Sequence, residues 1–185
     1  IPARPAKRTA SQQRTLGARA AQVTYTLTQF DSVNSTRVVS GGVSVLLIVN
    51  LDSETGAACA SKAVAQGIKV IDYDRLTLGG GSSYYVSFDN VALGTKIGEG
   101  LVKCMTDGGN ATGNVVLLNG SPTDNNATLF KQGYEKVIKD AGYTVTEDQS
   151  VPDWDNTFAG TAFEQIYTKT GGDFVGVASA NDGLG

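Results

Sequence analysis

From Val23 onward, short apolar runs rich in β-branched residues alternate with longer stretches whose apolar positions recur at a helical period. Such alternation predicts βαβ units and a parallel sheet. The expected strands are Val23–Leu27, Val43–Val49, Lys69–Tyr73, Tyr84–Phe88, Asn114–Leu118, Thr144–Glu147 and Phe174–Ala178, a set rich in Val, Ile and Tyr. Helices are expected between them. Ser53–Gln66 has Asp52 or Ser53 as N-cap, Ala58, Ala63 and Val64 on one face, and Gly67 at its end. Val91–Met105 repeats Val91, Leu93, Ile97, Leu101 and Val102 near a 3.6-residue period, and stops at Asp107-Gly108-Gly109. Thr128–Ala141, closed by Gly142, and Thr157–Thr170, closed by Gly171 and Gly172, complete the helices.

Two features interrupt this rhythm. A glycine-rich loop occupies Gly79–Gly81, and the strand Tyr84–Phe88 runs through Asp89 and Asn90 straight into a helix. A lobe boundary is expected there. Residues 1–89 would form a first lobe with an atypical N-terminal part, and residues 90–185 a second lobe incomplete at its C-terminal end.

Composition narrows the function classes. With 41% hydrophobic residues in 185, the chain can bury a core. Its longest apolar candidate, Val43–Val49, is broken by Ser44 and is far short of the roughly 20 residues that span a bilayer. The sequence starts at Ile1 and residues 1–30 hold no secretory apolar stretch, so any export signal is expected to have been removed. There is no histidine, which removes the commonest metal ligand and the usual general base near neutral pH. Five of the 15 basic residues, Arg4, Lys7, Arg8, Arg14 and Arg19, precede the first acidic one, Asp31, leaving ten against all 18 acidic residues. That basic stretch has no aromatic residue to stack on bases, and it is read as a solvated terminus rather than a nucleic-acid arm.

Ligands of open parallel sheets bind beyond the carboxyl ends of the strands. Those ends carry Asp72, Asp74 and Arg75, the segment Asn119–Asn126, Trp154, and Asn181 with Asp182. Such residues suit a sugar, whose hydroxyls both donate and accept and whose ring has an apolar face. Competing motifs are weak. Gly98-Glu99-Gly100 lacks the third glycine of a dinucleotide fingerprint, and no GxxxxGK followed by Ser or Thr occurs. Asp52 with Glu54, or Asp153 with Asp155, would be the acid pairs of a glycoside hydrolase, but both sit where helix-capping carboxylates are expected. Asn-X-Ser/Thr triplets at Asn34, Asn110, Asn119 and Asn126 stay unassigned.

Four segments carry a family resemblance: Val70-Ile-Asp-Tyr-Asp-Arg75, Tyr84-Tyr-Val-Ser-Phe-Asp-Asn90, Asn119-Gly-Ser-Pro-Thr-Asp-Asn-Asn-Ala127 and Ala178-Ser-Ala-Asn-Asp182. With their spacers they make residues 43–185 resemble the D-xylose-binding proteins of ABC importers. The resemblance implies an α/β fold of the periplasmic-binding-protein type I, with two Rossmann-like lobes, three hinge crossings and a monosaccharide held in the cleft between them. It implies binding rather than catalysis, with no catalytic residue, metal or cofactor. Asp74 and Arg75 would take sugar hydroxyls from the first lobe, and Asp124, Asn126 and Asn181 from the second. Trp154 would stack on the sugar face, and closure would follow as a hinge motion. The implied partners are a pentose, D-xylose first with glucose, ribose and arabinose left open, and an ABC permease and ATPase complex. No nucleic acid is implied, and the membrane enters only through the transporter or a lipid anchor. The implied location is extracytoplasmic, in a periplasm or as a cell-surface lipoprotein.

The departures from that family shape the expectations too. The family's first strand and helix have no recognisable counterpart in Ile1–Gln22, the span Asp31–Gly42 is short and a poor helix former, and Gly185 precedes the rest of the second lobe. A partial chain is therefore expected. Cys59 would lie at the start of a first-lobe helix and Cys104 at the end of a second-lobe helix, so the two are expected not to pair. The alternative within the fold is the effector domain of a sugar-responsive repressor. It calls for a helix-turn-helix, and residues 1–22 lack the two patterned helices that motif needs.

Overall fold

The structure, a computed structural model, describes residues 43–185. The expected strand Val23–Leu27, the basic stretch 1–22 and the span 31–42 lie outside the described residues. The chain divides into two compact units, with the break between Val86 and Ser87.

In the first unit, strand β1 (Val45–Ile48), helix α1 (Gly56–Ala65), strand β2 (Lys69–Tyr73) and strand β3 (Tyr84–Val86) follow in order. The three strands pair in parallel as β1-β2-β3, with Val45 opposite Lys69 and Ile71 opposite Tyr84. Leu46, Ile48 and Val70 share one buried face and pack with Cys59, Ala60, Ala63 and Ile68. The alternation of buried and less buried positions along β1 and β2 is the period-2 signature of a strand. Helix α1 begins later than expected. Thr55 is its N-cap, because the Asp52 carboxylate instead takes the N–H groups of Glu54 (2.9 Å) and Thr55 (2.7 Å) in the preceding turn. Its buried stripe also differs: Gly56, Cys59, Ala60 and Ala63 face the sheet, while Ala58 and Val64 are exposed. Positions i, i+3, i+4 and i+7 form one stripe, and small side chains there let the helix lie close to the sheet.

The second unit runs through helix α2 (Asn90–Asp107), strand β4 (Asn114–Asn119), helix α3 (Asn125–Asp140), strand β5 (Thr144–Ser150), a 3-10 turn (Pro152–Trp154), helix α4 (Asn156–Thr170) and strand β6 (Gly176–Ser179). Its parallel sheet has the order β5-β4-β6. The central strand β4 is buried on both faces from Val115 to Asn119, which explains its unbroken apolar run. Around it pack Met105, Tyr134, Ile138, Val151, Ala159 and Ala178.

Helices α2 and α3 approach one another through glycines. A Cβ on Gly94 would lie 2.1 Å from the carbonyl oxygen of Phe130, and one on Gly133 would lie 2.4 Å from that of Val91. Gly98 has the same role against Tyr134, so the glycine pair Gly98-Gly100 is a packing feature on its first member. Leu93, expected on the buried face of α2, is exposed because that face is centred on Asn90, Gly94, Gly98 and Met105. Each helix of this unit has a carboxylate cap: Asp89 accepts from Ala92 N, Asp124 from Asn126 N and Asp155 from Phe158 N, at 2.9, 2.9 and 2.7 Å. Asn125 and Asn126, read from sequence as loop, form the first turn of α3. Asn is tolerated there because first-turn N–H groups have no intrahelical partner. Among the described residues, no helix is long and apolar enough to cross a membrane.

Candidate ligand-binding site

At the carboxyl end of the first sheet a buried side-chain knot underlies polar residues that are held through backbone groups. Asp72 is fully buried, and its two carboxylate oxygens take the N–H (2.9 Å) and the hydroxyl (2.7 Å) of Thr77. Asn50, just past β1, donates to the same Thr77 hydroxyl. This knot pins the loop after β2 to the end of β1. Asp74 stands beyond it in the left-handed region (φ 66°), a conformation Asp tolerates better than most residues. Its N–H donates to Val86 O at 2.9 Å, and its own carbonyl accepts from the Tyr85 hydroxyl at 3.3 Å. The Arg75 guanidinium donates to the carbonyls of Asn50 (3.2 Å) and Leu51 (3.4 Å). Asp74 and Arg75 thus sit together where the strands end, Asp74 exposed and Arg75 half-buried.

In the second unit, side chains build the corresponding edge. Val151 N donates to Asn119 O (3.1 Å) and Ala180 N to Leu118 O (3.0 Å), so the loops after β4, β5 and β6 emerge at one end of the sheet. Asp124 is 2% exposed. One of its oxygens caps α3, and the other accepts from the indole Nε1 of Trp154 at 3.1 Å. Asn126, also buried, accepts through Oδ1 from Asn90 Nδ2 at 3.0 Å. The structure therefore brings Asp124, Asn126 and Trp154 together. Asn181 follows β6; its Oδ1 takes the Leu184 N–H at 2.9 Å, and it lies beside Asn156 around Gly183.

Behind this edge a polar chain runs from the core to the surface. Tyr134 donates its hydroxyl to Asn119 Oδ1, and Asn119 Nδ2 donates to Asp148 Oδ1 (2.6 Å) and to Gln149 O (3.2 Å). The second Asp148 oxygen pairs with Lys131. Burial, reinforced by the carboxylates of Asp148 and Glu135, pushes the Tyr134 phenol well above its ordinary range, so it stays a donor. Buried Asn119 and Asn126 are packed acceptors and donors rather than surface asparagines, which leaves Asn110 as the exposed triplet among the described residues.

Sequence reasoning assigned no site role to Asn90, Gly120 or Tyr134. Asn90 follows the cap Asp89 and carries no signal that its side chain is buried. Gly120 does carry one, since a glycine directly after a strand marks a close approach by another group. The carboxylates considered as acid pairs act locally: Asp52 and Asp155 bind backbone N–H groups. The Asp52 carboxyl is held below its usual range, mainly by the Thr55 N–H. Cys59 and Cys104 are both free thiols, Cys59 buried in the first unit and Cys104 exposed on α2. Burial raises the Cys59 thiol. Among the described residues, no group of three or more potential metal-ligating side chains occurs.

Each sheet end by itself presents groups that can bind a small polyhydroxylated molecule: Asp74 and Arg75 in the first unit, and Asp124, Asn126 and Trp154 in the second. Comparison with known proteins agrees with that chemistry. The chain is 34% identical over 149 residues to a D-xylose-binding periplasmic protein of Escherichia coli, a match covering 78% of this chain and 44% of that protein. It is 38% identical over 104 residues to the multiple sugar-binding periplasmic receptor ChvE of Rhizobium radiobacter, covering 55% of this chain and 29% of the receptor. The chain thus spans less than half the length of these relatives. Among solved structures it is similar to an ABC transporter solute-binding protein of Clostridium phytofermentans with bound β-D-glucose. That match has a TM-score of 0.74 and 27% identity, covering 82% of this chain and 52% of the other. A family described as "Periplasmic binding protein domain" matches residues 12–185. The chain belongs to this periplasmic binding protein family and has its type I fold, α/β with parallel sheets.

Proposed function

We propose that the chain is part of an extracytoplasmic receptor that captures a monosaccharide, D-xylose in the first instance, and delivers it to an ABC permease and ATPase complex. The observation that carries this reading is the joint placement of Asp124, Asn126 and Trp154 at the end of the second sheet. A carboxylate bonded to an indole, with a side-chain amide two residues on, is what a pyranose with an apolar face and a rim of hydroxyls would need. Asp74 and Arg75 would contribute hydroxyl contacts from the first unit, and Asn181 a further one from the second. Trp154 would supply the stacking plate. The family is one of binding proteins, and the reaction class proposed is binding without turnover. Xylose is preferred because two curated relatives, from Escherichia coli and Haemophilus influenzae, are named D-xylose-binding periplasmic proteins. Others are named for multiple sugars, which makes ribose, arabinose and glucose the proper competitors. The periplasmic names of these relatives support the extracytoplasmic location.

Calorimetric titration of the full-length mature protein with D-xylose, then ribose, arabinose and glucose, tests this. Micromolar or tighter binding of one sugar, lost in Asp74→Ala and in Trp154→Ala, is the expected result. No heat with any of the four would sink the sugar assignment while leaving the fold untouched.

A further inference from the structure

Trp154 is held in a backbone conformation that its own residue type does not favour. Asp153 and Trp154 are consecutive non-glycine residues with positive φ, 54° and 57°. Left-handed conformations are unfavourable for L-residues and persist only when neighbours over-determine them. Three contacts do so here. The indole Nε1 donates to the buried Asp124 carboxylate at 3.1 Å, the Asp153 N–H donates to Ser121 Oγ at 3.3 Å, and the six-membered ring lies against Gly120. A Cβ on Gly120 would come within 2.2 Å of Trp154 Cη2, 2.3 Å of Cζ2 and 2.5 Å of Cζ3. Gly120 is not among the glycines with positive φ, so its backbone conformation is open to any residue. What requires glycine is the ring.

We infer that Gly120 and Asp124 are positioning residues that together fix the Trp154 indole as a rigid plate for the sugar, Gly120 by receiving one ring face and Asp124 by tying its edge. This rests on the sugar reading above and deepens it. A plate already fixed in the free protein loses little freedom when the ligand stacks on it, which favours affinity through preorganisation. Asp124 acts here through Trp154 and through its cap on α3, beyond any hydroxyl it takes itself. Gly120 carries no functional group and acts only by leaving room.

The test compares the full-length protein with Gly120→Ala, Trp154→Ala and the double variant. Near-ultraviolet circular dichroism of the free protein, taken as the difference from the Trp154→Ala protein, reports the indole alone. Gly120→Ala should change that difference spectrum and weaken D-xylose binding about tenfold or more. It should also lower the urea unfolding midpoint with Trp154 present and leave it unchanged in the Trp154→Ala background, where no ring is left to displace. An unaltered indole spectrum, or an equal loss of stability in both backgrounds, would overturn the inference. If the wild-type protein binds no sugar, the functional reading fails by itself, and the spectrum with the stability cycle still decides whether Gly120 seats the indole.

Discussion

The two sheets end in similar sets of polar residues but hold them in different ways. In the first unit the strand-end residues are held through backbone groups: Asp74 is placed by a left-handed turn and Arg75 rests on the carbonyls of Asn50 and Leu51, above a buried knot in which Asn50 and Asp72 both bind Thr77. In the second unit, side chains distant in sequence hold one another. Trp154 reaches Asp124, and Asn119 joins Tyr134 to Asp148. The strands fit this division. β2 alternates between a buried and a less buried face, whereas β4 is buried on both and can carry polar links to helix and sheet alike. The same chemical edge can therefore be held through backbone groups or through a side-chain network, and the two should break differently.

Glycines provide the sharpest contrast. Gly94→Ala drives a methyl into the backbone of α3, 2.1 Å from the Phe130 carbonyl, so two helices must separate. A loss of about 3 kcal/mol is expected, read as a lower urea midpoint of the full-length protein. Gly56→Ala in the first unit first meets a side chain, that of Asn50, at 2.2 Å. That side chain can turn away at the cost of its bond to Thr77, so a loss of about 1 kcal/mol is expected. Equal losses would mean that the α2–α3 approach is no more constrained than α1.

Asp72→Ala comes next in size. It removes the acceptor for both the N–H and the hydroxyl of buried Thr77, and about 2 to 3 kcal/mol should go with it. Because every member of the knot, Asn50, Asp72 and Thr77, lies in the first unit, the effect should stay there. Hydrogen exchange should accelerate around β2 and Thr77 and remain unchanged along β4. Acceleration along β4 would show that the two units are energetically one.

What the sequence revealed follows from the same contrast. Lys69–Tyr73 coincides with β2, and the β4 run is off by a single residue, because a strand buried on one or both faces writes its burial into its hydrophobic pattern. The strand-end residues were legible too, since a polar residue after an apolar run needs no tertiary information to be noticed. The phase of small-residue helices was not legible: Val64 outweighs Gly56 and Cys59 in hydrophobicity, yet the stripe that fits closest to the sheet is the small one. Nor could the pattern show that Asp124 meets Trp154 thirty residues away. A capping Asp looks the same whether its second oxygen faces water or an indole.

Tyr134→Phe probes the network at its centre. Losing the hydroxyl that donates to Asn119 should cost about 1 kcal/mol near neutral pH. A second signature is pH dependence. The phenol is pushed up in the folded protein, so above the ordinary tyrosine pKa of about 10 the unfolded chain releases a proton that the folded one keeps. The unfolded state then binds fewer protons, and stability falls as pH rises beyond about 10. That fall should be shallower in Tyr134→Phe; parallel profiles for the two proteins would show that Tyr134 is not the group responsible.

The outermost link of the network should matter least, and it tests how far the side-chain scheme extends. Lys131 and Asp148 pair with side chains 31% and 42% exposed, whereas the helix pair Lys103–Asp107 is 74% and 64% exposed. Water screens both, so neither should exceed about 1 kcal/mol. Asp148 differs in that its other oxygen accepts from Asn119, and Lys131 therefore restrains a carboxylate already tied to the core. Lys131→Ala should cost a few tenths of a kcal/mol more stability than Lys103→Ala, read from urea unfolding, and the excess should shrink as salt is raised. If the two variants prove equal at low salt, the network ends at Asp148 and the lysine is only a neighbour on the surface.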